Sequence, residues 1–258
     1  GSCPNCGGEI SDDRLLLKAP CDKCLDVPLE ELEKWRRELT PFEYKMRILK
    51  ELERKGTLRE YKREVDLEKL LVEFETFFQK AVGSKPWSAQ RTWAKRVLEG
   101  KSFTIIAPTG VGKTVFGSAI SLFLASRGMK CYMVFPTTVI LKQVLDRISS
   151  FVENLGTSID LAFYHAKLSK KERQQQLEKI SKGEYSLLLS TSQFLAKNFE
   201  KLRGQRFDFV FVDDVDSFLK SPKNIDKAIE SAIKGAKACL KISKELKLSK
   251  ESFGEASY

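Results

Sequence analysis

Phe103-Thr104-Ile105-Ile106-Ala107-Pro108-Thr109-Gly110-Val111-Gly112-Lys113-Thr114 is the stretch that decides the fold of this 258-residue chain. An apolar run, Phe103 to Ala107, reads as a buried strand. The helical run Val115 to Arg127 follows the loop directly. Gly110 and Gly112 leave the backbone free to wrap its N–H groups around phosphate oxygens at a helix amino terminus, where the helix dipole favours negative charge. Lys113 carries the ammonium that reaches the β- and γ-phosphates, and the Thr114 hydroxyl suits Mg²⁺. The octet Ala107 to Thr114, including Pro108, Thr109 and Val111, matches the Walker A pattern with Ala107 in place of its first glycine. ATP or ADP is the expected ligand.

Downstream, apolar runs at Cys131 to Phe135, Ile159 to Phe163, Ser186 to Leu189 and Phe207 to Val212 read as further strands. Amphipathic stretches such as Val139 to Leu155 and Ser169 to Ile180 separate them. Buried strands alternating with helices predict a mostly parallel sheet covered on both faces. The last of these runs ends in Asp213-Asp214-Val215-Asp216, which puts carboxylates at the edge of the sheet where such folds bind ligands. Asp213 is the expected partner of Mg²⁺, and Asp214 is placed to orient or deprotonate the attacking water. Helix capping is the alternative use of this acidic cluster. Upstream, Gln90 in Pro86-Trp-Ser-Ala-Gln-Arg-Thr-Trp93 offers the donor and acceptor needed to read an adenine edge; an exposed helix position is the default for a lone glutamine.

Residues 26–83 read as charged helices. Asp26 with Pro28 caps one start ahead of Leu29, Leu32, Trp35 and Leu39. Thr40-Pro41-Phe42-Glu43 is a capping box with Gly56 as the stop. Asp66 opens a third helix whose face is Leu67, Leu70, Phe74 and Phe77, ended by Gly83. Residues 1–25 are poor in core formers but hold Cys3-Pro-Asn-Cys6 and Cys21-Asp-Lys-Cys24. Two residues between cysteines let both thiolates reach one ion, and two such knuckles complete the tetrahedron zinc prefers. Disulfides are the alternative, which an intracellular setting disfavours. Four cysteines close the shell, so the expected zinc is structural, and its binding supplies the folding energy that so small a segment lacks.

Forty-five Lys and Arg against 35 Asp and Glu give a net charge of +10, which suits a polyanionic partner. Nine of the lysines fall between Lys220 and Lys250, read as a helical stretch and equally consistent with a solvated face. Cys131 is expected in a buried strand and Cys239 on a helix, both as core thiols. No apolar run of about 18 residues is present and no apolar signal segment opens the chain. The expected location is therefore the cytoplasm, with no membrane partner.

APTGVGKT, FPTTVILKQV, LSTSQFL and FDFVFVDDVD resemble motifs I, Ia, Ib and II of superfamily-two helicases. With the paired C-x-x-C at the front, the chain is similar to the reverse gyrase family in particular. The resemblance implies an α/β, RecA-like P-loop domain over residues 84–258, preceded by a zinc-binding module (1–25) and a helical linker segment (26–83). It implies an ATP-dependent type IA topoisomerase that introduces positive supercoils, in which a second RecA-like domain and a topoisomerase domain, in cis or in trans, are the partners. Neither a Ser-Ala-Thr motif nor those partner segments are expected within these residues, so this chain alone is expected to be inactive. By the same resemblance Pro136, Thr137 and Thr138, then Ser190, Thr191 and Ser192, contact the DNA backbone without reading sequence; helix capping is the alternative for each. The family's adenine-stacking aromatic stands eight residues before the glutamine, where this chain has Val82, leaving Phe78 as a substitute. Two other readings stand beside this one: another zinc-containing superfamily-two helicase, and a nucleotide- and DNA-binding module without turnover.

Overall fold

The computed structural model describes residues 1–106, 111–202, 204–213, 238–243 and 255–257. It divides into two compact units, Gly1–Glu73 and Phe74–Tyr258.

The first unit begins with the cysteine knuckles and a short helix α1 (Asp12–Leu16), followed by α2 (Leu29–Glu38), α3 (Pro41–Lys55) and the opening turns of α4 (Lys62–Val82). Its helix ends follow sequence chemistry. The Thr40 hydroxyl accepts the Glu43 N–H, and the Glu43 carboxylate accepts the Thr40 N–H. Gly56 ends α3 at φ +78°, a left-handed conformation that glycine adopts without strain. Two expectations shift. Pro28 alone stands at the start of α2 with no side-chain cap, because Asp26 pairs instead with Lys55 at 2.7 Å. α4 starts at Lys62, four residues before Asp66.

The division at Glu73 departs from the expected boundaries at 25/26 and 83/84. Cys3, Ala19, Cys21, Cys24 and Leu25 share one buried cluster with Leu32, Trp35, Tyr44, Ile48, Leu52, Tyr61 and Val65. The cysteine segment is too poor in apolar mass to enclose a core, so it completes one with the helices. Polar clamps hold the seam. Asn5 is fully buried; its Nδ2 donates to the Thr57 carbonyl, and its Oδ1 accepts the N–H groups of Arg59 and Tyr61. Arg14 is buried too, donating to the carbonyls of Pro20, Leu25 and Val27 at 2.8–3.0 Å. Lys45 lies 3.1 Å from the half-buried Glu64 and 3.2 Å from the buried Glu68, linking α3 to α4.

The second unit holds the end of α4 and α5 (Ser88–Leu98), then alternates: β1 (Phe103–Ile106), α6 (Val111–Ser126), β2 (Cys131–Phe135), α7 (Thr138–Leu155), β3 (Leu161–Tyr164), α8 (Lys170–Ser181), β4 (Leu187–Thr191), α9 (Ser192–Asn198) and β5 (Phe209–Val212). β6 (Ala238–Ser243) and β7 (Glu255–Ser257) complete a sheet ordered β3-β4-β2-β5-β6-β1-β7. Each ladder among the described strands is parallel, as expected. β6 corrects one expectation: Cys239 lies in a strand, paired with Val210, instead of on a helix. Six residues between lysines form a strand because β5 and β1 flank them on both sides.

Both sheet faces are covered. Tyr132, Val134, Leu188, Val210 and Val212 face Ile180, Phe194, Leu195 and Phe207 on one side. On the other, Gly117 brings α6 so close to β5 that a Cβ there would lie 2.4 Å from the Phe211 ring. Phe74, Phe116 and Phe123 meet edge-on at 5.4–6.0 Å. Among the described residues no helix is long and apolar enough to cross a membrane.

Candidate functional site

Parallel strands send all their carboxyl ends to one edge. At that edge β1 leads toward α6, β2 leads through Pro136 and Thr137 into α7, β4 runs into α9, and Asp213 directly follows β5. Lys113 sits in the first turn of α6, only 8% exposed. Burial lowers its pKa, and the negative charge of Asp213 opposes that shift. Asp213 is held by its own N–H, which donates to the Val134 carbonyl of β2 at 2.9 Å. The Thr114 carbonyl accepts the Ser118 hydroxyl at 2.7 Å, fixing the turn behind it. Pro108, Thr109, Gly110 and Asp214 lie outside the described residues, as does the side chain of Val111.

Gln90 is brought to this loop, but not as an exposed helix residue. It is 2% exposed on α5. Its Nε2 donates to the Gly112 carbonyl at 2.9 Å, and its Oε1 accepts the Trp87 N–H at 2.9 Å. The glutamine thus ties the start of α5 to the phosphate loop. Phe78 is no base platform: it is 1% exposed, edge-on to Phe74 at 5.9 Å. Trp87 drew no weight from sequence, yet its indole lies against Gly112; a Cβ there would come within 2.5 Å of Cζ3.

The hydroxyls expected on DNA are mostly engaged within the protein. Thr137 is exposed, but its Oγ1 accepts the Ile140 N–H and caps α7. Pro136 and Thr138 are half-buried beside it. Ser190 is 0% exposed and hydrogen-bonded to the Tyr132 hydroxyl. β4 extends past Leu189 to Thr191, and the Ser190 hydroxyl is enclosed within the protein. The Thr191 hydroxyl caps α9 through the Phe194 N–H, and Ser192 is buried in its first turn.

In the first unit the Sγ atoms of Cys3, Cys6, Cys21 and Cys24 all lie within 4.8 Å of one another. Cys6 and Cys21 are 3.8 Å apart, matching the edge of about 3.8 Å of a tetrahedron with zinc–sulfur bonds of about 2.3 Å. The backbone supports thiolates here. Asn5 and Cys21 N–H groups point at the Cys3 sulfur, and the Gly8 N–H at that of Cys6. Burial alone raises the Cys3 thiol, but the backbone N–H groups of Cys6, Cys21 and Asn5 hold it down at about 7. Burial pushes Cys24 up to about 12. Four soft donors at this spacing fit zinc and leave no open coordination position for catalysis.

Comparison with known proteins identifies the family. A model described as DEAD/DEAH box helicase matches residues 87–245. The chain belongs to the DEAD/DEAH box helicase family. A second model, described as reverse gyrase zinc finger, matches residues 1–38. Among curated relatives, the reverse gyrase of Thermococcus kodakarensis is 45% identical over 228 residues, covering 88% of this chain and 13% of the relative. That of Pyrococcus furiosus is 44% identical over 251 residues, covering 95% and 20%. The chain therefore matches the zinc-finger-plus-helicase front part of reverse gyrase and spans under a quarter of these relatives' length. Among solved structures, a hypothetical ATP-dependent RNA helicase from Sulfolobus tokodaii superposes with a TM-score of 0.56 at 17% identity. It covers 69% of this chain and 53% of that one, and shares the fold.

Proposed function

We propose that this chain is the nucleotide-binding front part of an ATP-dependent type IA topoisomerase that introduces positive supercoils, as the family resemblance implies. The observation that carries this reading is the buried Lys113 in the first turn of α6, at the same carboxyl edge of the sheet as Asp213, in a chain that also presents a four-thiol cluster. Lys113 neutralises the β- and γ-phosphates, with Gly112 and the loop before it contributing N–H groups. Thr114 and Asp213 hold Mg²⁺, Thr114 directly, and Asp214 orients the attacking water. Gln90 braces the loop with one amide hydrogen and one lone pair, leaving one of each for the adenine edge. Zinc holds the cysteine unit together and takes no part in the chemistry.

DNA is gripped at the carboxyl edge through Pro136, Thr137, Thr138 and Ser192, with lysines supplying most of the affinity. Such binding is sequence-indifferent and falls steeply with salt. A second RecA-like domain supplies the arginine that neutralises the transition state, worth about a thousandfold or more. Closure of the two domains over DNA completes the site. The test is phosphate release from the 258-residue chain, with and without duplex DNA, before and after a second RecA-like domain is added. The expected result is nucleotide binding with negligible turnover until the domain is supplied. Robust DNA-stimulated turnover by these residues alone would overturn the half-site.

A further inference from the structure

We propose that Trp87 is the stacking platform for the purine base of the bound nucleotide. The inference rests on the nucleotide-binding reading above. Among the described residues Trp87 is the one exposed aromatic, at 63%, whereas Trp35 and Trp93 are each 6% exposed. Leaving an indole in water forfeits a large burial free energy, and this one stands beside the phosphate loop. One ring edge is packed against Gly112: a Cβ there would lie 2.5 Å from Cζ3 and 3.1 Å from Cη2. The remainder faces solvent.

The main chain fixes this placement. The Trp87 N–H donates to Gln90 Oε1, and Gln90 Nε2 donates to the carbonyl of Gly112, the residue just before Lys113. Phosphate loop, glutamine amide and indole are therefore coupled through two hydrogen bonds and one ring contact. A nucleotide whose phosphates lie on the loop brings its base within reach of a π-face already anchored there. The two positions that the sequence offered for this role do not compete: Val82 is aliphatic and Phe78 is enclosed in the core. Any substitution of Gly112 would drive the indole away, so the glycine serves the platform as well as the phosphates.

The experiment titrates the whole chain by calorimetry with Mg·ATP and with inorganic tripolyphosphate, for the parent, Trp87→Ala and Trp87→Phe. Stacking predicts that Trp87→Ala weakens ATP about tenfold, the size of one aromatic–base stack. Tripolyphosphate stays within about twofold, and Trp87→Phe recovers most of the loss. Indole emission of the parent is quenched by ADP but not by tripolyphosphate, and the quench disappears in Trp87→Phe. Equal losses for both ligands would mean that the indole only supports the loop, and tighter ATP binding would make it a lid over the site. Either result, or no change, overturns the platform. A parent that binds tripolyphosphate but not ATP also overturns the platform and leaves the phosphate loop standing. A parent that binds neither overturns the nucleotide reading as well.

Discussion

The two units of this chain are held together by different physics. The Gly1–Glu73 unit has one small cluster of buried side chains, completed by four thiols and braced by Asn5, Arg14 and the Lys45–Glu64–Glu68 triad. The unit from Phe74 onward has a parallel sheet buried on both faces. A small unit that cannot enclose enough apolar surface borrows stability from a metal and from buried polar contacts, both of which fail all at once. A doubly covered sheet loses stability in increments and can carry a functional loop at its edge. Sensitivity to one missing interaction should therefore separate the units.

The largest expected effect is metal removal. Chelation, or Cys21→Ser, should unfold α1 to α3 together with the knuckles, a loss on the order of 10 kcal/mol of metal-linked folding free energy. Circular dichroism and zinc analysis read the result. Loosening confined to residues 1–25 would restore separate cores for knuckles and helices. Next is Lys45→Ala, which removes the buried ammonium that pairs with both Glu64 and Glu68. It should cost about 3–5 kcal/mol in the first unit alone, measured by denaturant unfolding, with nucleotide affinity unchanged. Lys113→Ala should reverse that pattern: an unaltered fold but an affinity for Mg·ATP lowered by about 2–3 kcal/mol, the worth of hydrogen bonds to charged groups. Unchanged affinity in calorimetry would reject the phosphate role. The smallest effect is Gln90→Ala, at about 1 kcal/mol. Part of the loss should fall on ATP more than on GTP; an equal loss for both would reduce Gln90 to a brace.

How much of this was legible beforehand depended on whether the signal was local. The capping box at Thr40 and Glu43, the Gly56 stop and the paired C-x-x-C are short-range patterns, and the structure contains each as read. The parallel sheet followed from apolar runs bounded by helical periodicity. Asn5 and Arg14 left no trace, because a buried polar residue is recognisable only through partners such as Tyr61, 56 positions away. β6 is not legible because its pairing partners are distant strands, while its flanking lysines read as a helical face. At the site, spacing identified Gln90 but not the direction of its amide. The resemblance assigns Ser190 to the DNA backbone, whereas β4 runs through it and its hydroxyl meets that of Tyr132. The signal for Trp87 was present, an aromatic three residues before the glutamine, but its contact with Gly112 is tertiary.

The central claim is that metal and nucleotide each hold one unit, independently. Hydrogen exchange on the whole chain, with and without chelator and with and without Mg·ADP, measures it directly. The account predicts that chelator strips protection from α1 to α3 while β2, β4 and β5 stay protected, and that Mg·ADP slows exchange in α5 and α6 equally in both metal states. Loss of protection in β2 and β4 on chelation, or loss of the nucleotide effect with the metal, would contradict it.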